Sequence, residues 1–359
     1  FALFSFSTFA NEPETASHAP EPQVVTAADE HGAVAAEGEH TEKPVDIAAV
    51  AFEHILDAHS WHLWGEGEGS VALPLPVILY SSIKGLQVFS SARFEHGHAA
   101  YNGYKLEEEK IISEDAAESF YDISITKNVA QMLFSALLIF VLFTSIAKSY
   151  KSHGVTSAPR GKQSFFEPLI TFVRDDIAKG NIGHGSEKFV PYLLTIFFMI
   201  LINNVFGMIP IGANLTGNIA FTLVLSIATL IVTNINGNKN YWSHIFLPHA
   251  PKAIWPILIP IEIVGILTKP FALMIRLFAN MTAGHIIVIS LIGLIFVFKS
   301  IYIAPVSIAF ALFIDVLECL VAFLQAYVFT MLTALFIGTA VADHHEEGGH
   351  HEDDVAVKH

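Results

Sequence analysis

From Lys127 onward the chain consists of long apolar runs separated by short polar ones, and the run lengths set the architecture. Between Lys127 and Lys148 lie 20 uncharged residues, enough to cross a hydrocarbon layer about 30 Å thick as one helix. From Phe189 to Asn238 no charge occurs in 50 residues, and Pro210-Ile211-Gly212-Ala213-Asn214 divides that run into two spans joined by a tight turn. Residues 271–298 and 304–342 predict helices of about 42 Å and about 58 Å at 1.5 Å per residue. Both overshoot the layer, so both must tilt or lie partly in its plane. The stretch 148–188 is different in kind. It holds seven Lys or Arg, and Phe166, Leu169, Ile170, Val173 and Ile177 recur at helical spacing opposite Arg174, Asp175 and Lys179. That pattern predicts an amphipathic helix lying on the membrane surface. Its basic excess marks the cytoplasmic side, and Lys239 with Lys252 marks a second inward loop.

Upstream the pattern changes. Trp61-His62-Leu63-Trp64, Val71 to Tyr80 and Leu86-Gln87-Val88-Phe89 carry strand-type residues bounded by Gly, Ser and Asn, which predicts a small β-rich extramembrane module over 50–128. Residues 11–46 are Ala, Glu, Pro, Thr and His with almost no large apolar side chains, so 1–49 reads as a flexible acidic arm. Phe1 to Ala10 fits two readings equally: the remnant of a secretory signal, or a disordered apolar start. Residues 343–359 read as a disordered tail of His and acidic residues, with divalent-metal binding the weaker reading. The expected fold is therefore an all-α integral membrane protein. It has about five transmembrane helices in a membrane domain 129–342, one amphipathic surface helix, long tilted final helices and a small β-rich N-terminal soluble module.

Composition supports the bilayer as solvent: 53% of residues are hydrophobic and 15% charged, against roughly 25% charged in an ordinary soluble domain. The net charge of −15 is uneven, with 21 acidic and 6 basic residues in 1–128 and 13 of each in 129–359. The single cysteine, Cys319, excludes an intramolecular disulfide and a thiolate metal cluster. No phosphate loop, metal-ligand spacing or nucleophile constellation occurs in the apolar region, so no enzyme active site, resident cofactor or metal is expected. Nor is a nucleic-acid partner. Asn214-Leu215-Thr216 and Asn280-Met281-Thr282 match the glycosylation sequon by chance, since both fall at or inside the membrane.

The chemistry lies in the last two segments. Glu262, Lys269 and Arg276 recur every seven residues and form one drifting stripe, while His285, nine residues after Arg276, points the opposite way. Asp315 and Glu318 are i,i+3 neighbours, and Glu318 to Gln325 spans two turns on one side. Charge at membrane depth costs several kcal/mol unless it is paired or faces water or a partner, so its default reading is functional. Arginine keeps its proton and serves as a fixed cation; His285 and Glu318 can titrate and suit a relay. For Glu262 and Lys269, near Pro270, snorkelling to headgroups is as good an account as function.

The run from Lys269 to His285, with Arg276-Leu277-Phe278-Ala279-Asn280-Met281-Thr282-Ala283-Gly284 at its centre, resembles the penultimate-helix motif of a subunits of rotary F-type ATP synthases. Leu317 to Thr330 is similar to the last helix of that family, including the spacing from Glu318 to Gln325. The likeness covers 129–342. It implies a non-catalytic stator subunit with two proton half-channels against a c-ring. Arg276 would face the ring carboxylate, Asn280 and Gln325 would line the path, and His285 with Glu318 would belong to the uptake half. Some bacterial members carry Glu after Ala-Gly and His on the last helix; His285 and Glu318 are the reciprocal arrangement, which a co-located pair would explain. Glu262, Lys269 and Asp315 are further candidates for half-channel lining. The implied partners are the c-ring, peripheral-stalk b subunits, other synthase subunits and membrane lipid. The implied location is a bacterial inner membrane, with the mitochondrial inner membrane as alternative. A self-contained secondary transporter or ion channel is the competing class, but no inverted repeat or second Arg276 motif is present.

Overall fold

The computed structural model describes residues 57–64, 71–97, 99–107, 110–115, 119–153, 161–209, 212–247, 251–298 and 302–342. The expectations for 1–49 and for the tail 343–359 lie outside the described residues, as do Pro210 and Ile211 of the turn.

The described chain ahead of Lys127 is built of short strands. β1 (Ser60–Trp64) pairs antiparallel with β2 (Val71–Pro74), β3 (Pro76–Ser81) pairs with both β4 (Gly85–Ser90) and β7 (Phe120–Asp122), and β5 (Tyr104–Glu107) pairs with β6 (Lys110–Ser113). Alternation puts Val77 and Leu79 of β3 inward, where they meet Phe94, Tyr104 and Ile111 in a small core. The run from Val71 to Tyr80 is two strands rather than one. Between Pro74 and Pro76 the chain changes partner, because neither proline has an N–H to continue a ladder.

The last strand leads into the membrane domain through hydrogen bonds rather than a loose linker. Ile123 N and Ile125 N donate to Ile78 O and Pro76 O, and Lys127 N donates to Ala58 O. Asp57 Oδ1 accepts from Asn128 N at 3.0 Å, which satisfies an open N–H in the first turn of the next helix. The sheet is thus fixed to the top of α1 (Lys127–His153).

After α1 come α2 (Lys162–Thr171), α3 (Val190–Met208), α4 (Ile219–Ile235), α5 (Lys239–Phe246), α6 (Trp255–Phe298) and α7 (Ala304–Val341). α2 runs on as a π-helical stretch, Phe172–Lys179, and one further turn, Gly180–Ile182. Among the described residues four helices are long and apolar enough to cross a membrane, or five if α4 and α5, bent by 103° at Asn236-Gly237-Asn238, form one broken span. Asn218 starts α4 by accepting from Ala220 N and Phe221 N. Asn238 fixes the elbow: its N donates to Ala340 O at 2.9 Å and its Nδ2 to Val341 O at 2.6 Å, tying down the C-terminal turn of α7.

Two expectations need correction. The penultimate helix does not begin at 271 but at Trp255, and its 44 residues span about 66 Å. It continues through Pro260 and Pro270. Each proline removes one backbone bond, but an apolar surrounding offers the freed groups no alternative to the helix. The amphipathic segment is also not spread on lipid by its apolar stripe: Val173 and Ile177 are fully buried against α3 and α7, together with Leu193, Phe197, Leu277, Phe329 and Ile337. Protein covers that stripe because α7 passes over it so closely that a Cβ on Gly338 would collide with the backbone oxygen of Asn181.

Candidate functional site

The polar seam expected in the last two helices is assembled by α3, α6 and α7. Asn204 of α3, fully buried, donates to Ala322 O of α7 at 3.0 Å. Gln325 of α7 donates to Arg276 O of α6 at 2.8 Å. Asn203 of α3 donates to Ser135 Oγ of α1 at 3.0 Å. In hydrocarbon such carboxamide bridges between helices have no competing solvent, so they fix helix rotation and hence the faces on which the ionisable residues lie.

Those faces separate two groups. His285 and Glu318 face each other between α6 and α7, with Nε2 3.7 Å from Oε1. The Glu318 side chain is 5% exposed and that of His285 18%. The distance is within ion-pair range and longer than a direct hydrogen bond. Gly284 makes it attainable: a Cβ there would stand 3.0 Å from Glu318 Oε1. Arg276 and Asn280 instead lie on the exposed face of α6, beside exposed Phe271 and Ile275. On α7 the exposed side chains include Phe313, Val316, Leu320 and Phe323. Among the described residues no carboxylate pairs with the Arg276 guanidinium. A permanent cation on an apolar face is costly alone and is relieved by an anionic group brought by a partner.

The remaining candidates lie apart. Asp315 is exposed on α7, one turn from Glu318. Glu262 is half-buried near the start of α6, while Lys269 places Nζ 5.4 Å from the centre of the Phe336 ring. Lys269 lines a cleft with Thr233, Asn234 and Tyr241, in which Tyr241 donates to Asn234 Oδ1 at 3.0 Å. No cluster of three or more metal-ligating side chains occurs among the described residues.

Sequence reasoning missed Asn214 and Gly207. The two meet beside the histidine: a Cβ on Gly207 would stand 3.5 Å from Asn214 Oδ1 and 3.7 Å from His285 Nε2. The available signal was an asparagine in the middle of a 50-residue uncharged run, the same argument that marked Asn280.

Beyond the bundle, a titratable contact ties the end of β7 to the residues ahead of β1. His59 Nε2 lies 3.0 Å from Asp122 Oδ2. Burial raises the Asp122 carboxyl, but hydrogen bonds from His59 and from Ser124 outweigh it, and the group is held below its ordinary value.

Fold and site together define a multi-pass helical membrane protein with a titratable pair inside the bundle and an arginine on its outer face. Comparison with known proteins gives the family. The model of the ATP synthase A chain matches residues 129–338, and a model described as a domain of unknown function, DUF8433, matches residues 50–132. ATP synthase subunit a of Chloroherpeton thalassium is 51% identical over 237 residues, 64% of this chain and 71% of its own. ATP synthase subunit a 2 of Chlorobaculum tepidum is 52% identical over 235 residues, 64% and 67%. ATP synthase subunit a of an Anaeromyxobacter species (strain Fw109-5) is 42% identical over 265 residues, 71% and 62%. The chain belongs to the ATP synthase A chain family.

Proposed function

We propose that this chain is the proton-translocating stator subunit of a rotary ATP synthase, that Arg276 separates two half-paths, and that His285 with Glu318 loads the first of them. The subunit is not itself catalytic; ATP chemistry resides on other subunits of the assembly. The observation that carries the reading is the division of faces. A titratable pair lies inside the bundle at 3.7 Å, and an arginine without a carboxylate partner among the described residues lies on the exposed apolar face of the same helix. A self-contained channel or transporter would have no use for an outward-facing cation, whereas a ring of carboxylate-bearing subunits turning past α6 and α7 would. Each ring carboxylate must ionise opposite Arg276, and the arginine, which keeps its proton, prevents a direct leak. Gln325 and Asn280 border that face, and Glu262, Lys269 and Asp315 would line the approaches.

The basic segments 148–188 and 239–252 place their ends inward, so the strands of 50–128 lie outward and the tail inward. The membrane is a bacterial inner membrane. Within the assembly the c-ring would meet the exposed α6–α7 face, and peripheral-stalk b subunits would take another side. The test is ATP synthesis and passive proton leak in inverted vesicles carrying Arg276→Ala or Arg276→Lys. Both should abolish synthesis while the leak persists or rises, the lysine because its ammonium can lose its proton in an apolar site. Near-normal synthesis with Arg276→Ala would show that this residue only packs.

A further inference from the structure

The sheet of β4, β3 and β7 has two apolar faces, and the small core covers one of them. Val77 and Leu79 of β3 point into that core, against Phe94, Tyr104 and Ile111. On the other face the strand register lays six side chains in two rows. Tyr121, Tyr80 and Leu86 form one row, since Tyr80 pairs with both of the others. Ile123, Ile78 and Val88 form the next: Ile78 pairs with Val88, and Ile123 N donates to Ile78 O. Tyr80, Leu86, Val88, Tyr121 and Ile123 are between 48% and 64% exposed. An antiparallel sheet with one face in water ordinarily carries polar residues there, and a contiguous exposed apolar patch marks a contact.

Charge is kept off this face. The β5–β6 hairpin, which closes the core from the opposite side, turns Lys105, Glu107 and Lys110 to solvent, with Lys105 Nζ 2.7 Å from Glu107 Oε1. Lys84, in the β3–β4 turn, bends to that side as well: its Nζ donates to Asn102 O at 3.1 Å and lies 4.6 Å from the centre of the Tyr104 ring. Asp122, between Tyr121 and Ile123, points to His59 instead of outward. One side of the module is therefore charged, and the other is aliphatic and tyrosine-bearing.

The position of the uncharged face indicates its occupant. Ile123 stands four residues and Tyr121 six before Lys127, where α1 begins, so even a fully extended chain holds them within about 14 Å and about 20 Å of that point. The connection cannot swing freely, because Ile125 N donates to Pro76 O, Lys127 N to Ala58 O and Asn128 N to Asp57 Oδ1. Every copy of the chain thus carries this face beside the leaflet that α1 enters. A tethered module has little translational freedom left to lose, so shallow burial suffices for contact. Tyrosines among aliphatic side chains suit the boundary between headgroups and acyl chains, where the ring is in apolar surroundings and the hydroxyl reaches water.

We infer that the β4–β3–β7 face is a membrane-binding surface, resting on the phospholipid headgroups and upper acyl chains at the start of α1 and holding the module against the bilayer. The contact is independent of Arg276, His285 and Glu318.

Val88→Cys and, as a water-facing control, Lys110→Cys are made in a Cys319→Ser background. The assembled complex is labelled with an environment-sensitive fluorophore and placed in phospholipid vesicles. The label at position 88 should emit at shorter wavelength than the one at position 110, lose about half or more of its emission to phospholipids spin-labelled high on the acyl chain, and be shielded from iodide present on both sides. Iodide quenching as strong as at position 110 would overturn the proposal by placing the face in water. Shielding from both quenchers would overturn it too, by showing that another subunit or a second copy covers the face. Should the Val88 variant not assemble, the unaltered complex is irradiated in vesicles containing a phospholipid with a photoactivatable group high on its acyl chain. Cross-links should then fall within residues 78–88 and 121–123 as well as on the helices, and cross-links confined to the helices would overturn the proposal.

Discussion

Gly284→Ala adds one methyl group at the point where α6 and α7 bring their titratable side chains together. The new carbon would stand 3.0 Å from Glu318 Oε1, 3.1 Å from its Cδ and 3.5 Å from its Cγ. Relaxed contacts need about 3.5 Å or more, so the carboxylate must retreat by roughly 0.5 Å. The backbone of α7 cannot follow, because Asn204 holds Ala322 and Gln325 holds Arg276 O. The side chain therefore yields, and its separation from His285 grows beyond the present 3.7 Å. Misplacement of a reacting group by about 1 Å costs about 10²-fold, so half of that should slow proton flux about tenfold. The assay is passive flux through the complex in inverted vesicles, normalised to the amount assembled. Glu318→Asp supplies the control, since it shortens the side chain by one methylene and removes the collision. The double variant should then be no slower than Glu318→Asp alone, a non-additivity expected of groups in contact. Unchanged flux for Gly284→Ala, or a double variant as slow as the product of the singles, would refute the argument.

Three further outcomes follow from named contacts. His285→Glu with Glu318→His should carry more flux than either single change, and a double variant no better than the singles would argue against direct pairing. The folded-state value of Asp122 is depressed, so its contribution to stability is present above the ordinary carboxylate range and is lost as pH falls through that depressed value. Protection factors of the β3 and β7 amides, which divide out the intrinsic slowing of exchange in acid, should fall on acidification of the native protein, and Asp122→Asn should show lower protection already at neutral pH and respond less to acid. Gly338→Ala drives a Cβ into the backbone oxygen of Asn181, which cannot move aside cheaply. It should destabilise the bundle by about 1–3 kcal/mol, read as a lower thermal midpoint in detergent.

Much of the membrane domain was legible because a bilayer imposes its thickness on sequence. An uncharged run of 20 residues ending in lysines becomes α1, and the proline- and glycine-bearing break in the 50-residue run separates α3 from α4. The seven-residue spacing to Arg276 and the nine-residue spacing to His285 were enough to put them on different faces of one helix. The short strands were less legible. β5, β6 and β7 are three or four residues each and acquire their identity from pairing with strands up to 43 positions away, such as Leu79 with Asp122.

The sequence by itself determined the solvent, the extent of most of the apolar spans and which residues can titrate, since these depend on composition and local spacing. Tertiary structure decided the rest. Pro260 and Pro270 read locally as stops, yet α6 passes through both because apolar packing leaves its backbone no other partners. The amphipathic stripe of Val173 and Ile177 reads equally well as facing lipid or protein, and only the passage of α7 over it makes the choice. His285 and Glu318 are 33 positions apart, and Asn214 is 71 from His285; no local pattern can place them side by side. Their meeting depends on Gly207 and Gly284, residues whose contribution is the volume they leave empty, and empty volume becomes visible only when the helices that border it are in place.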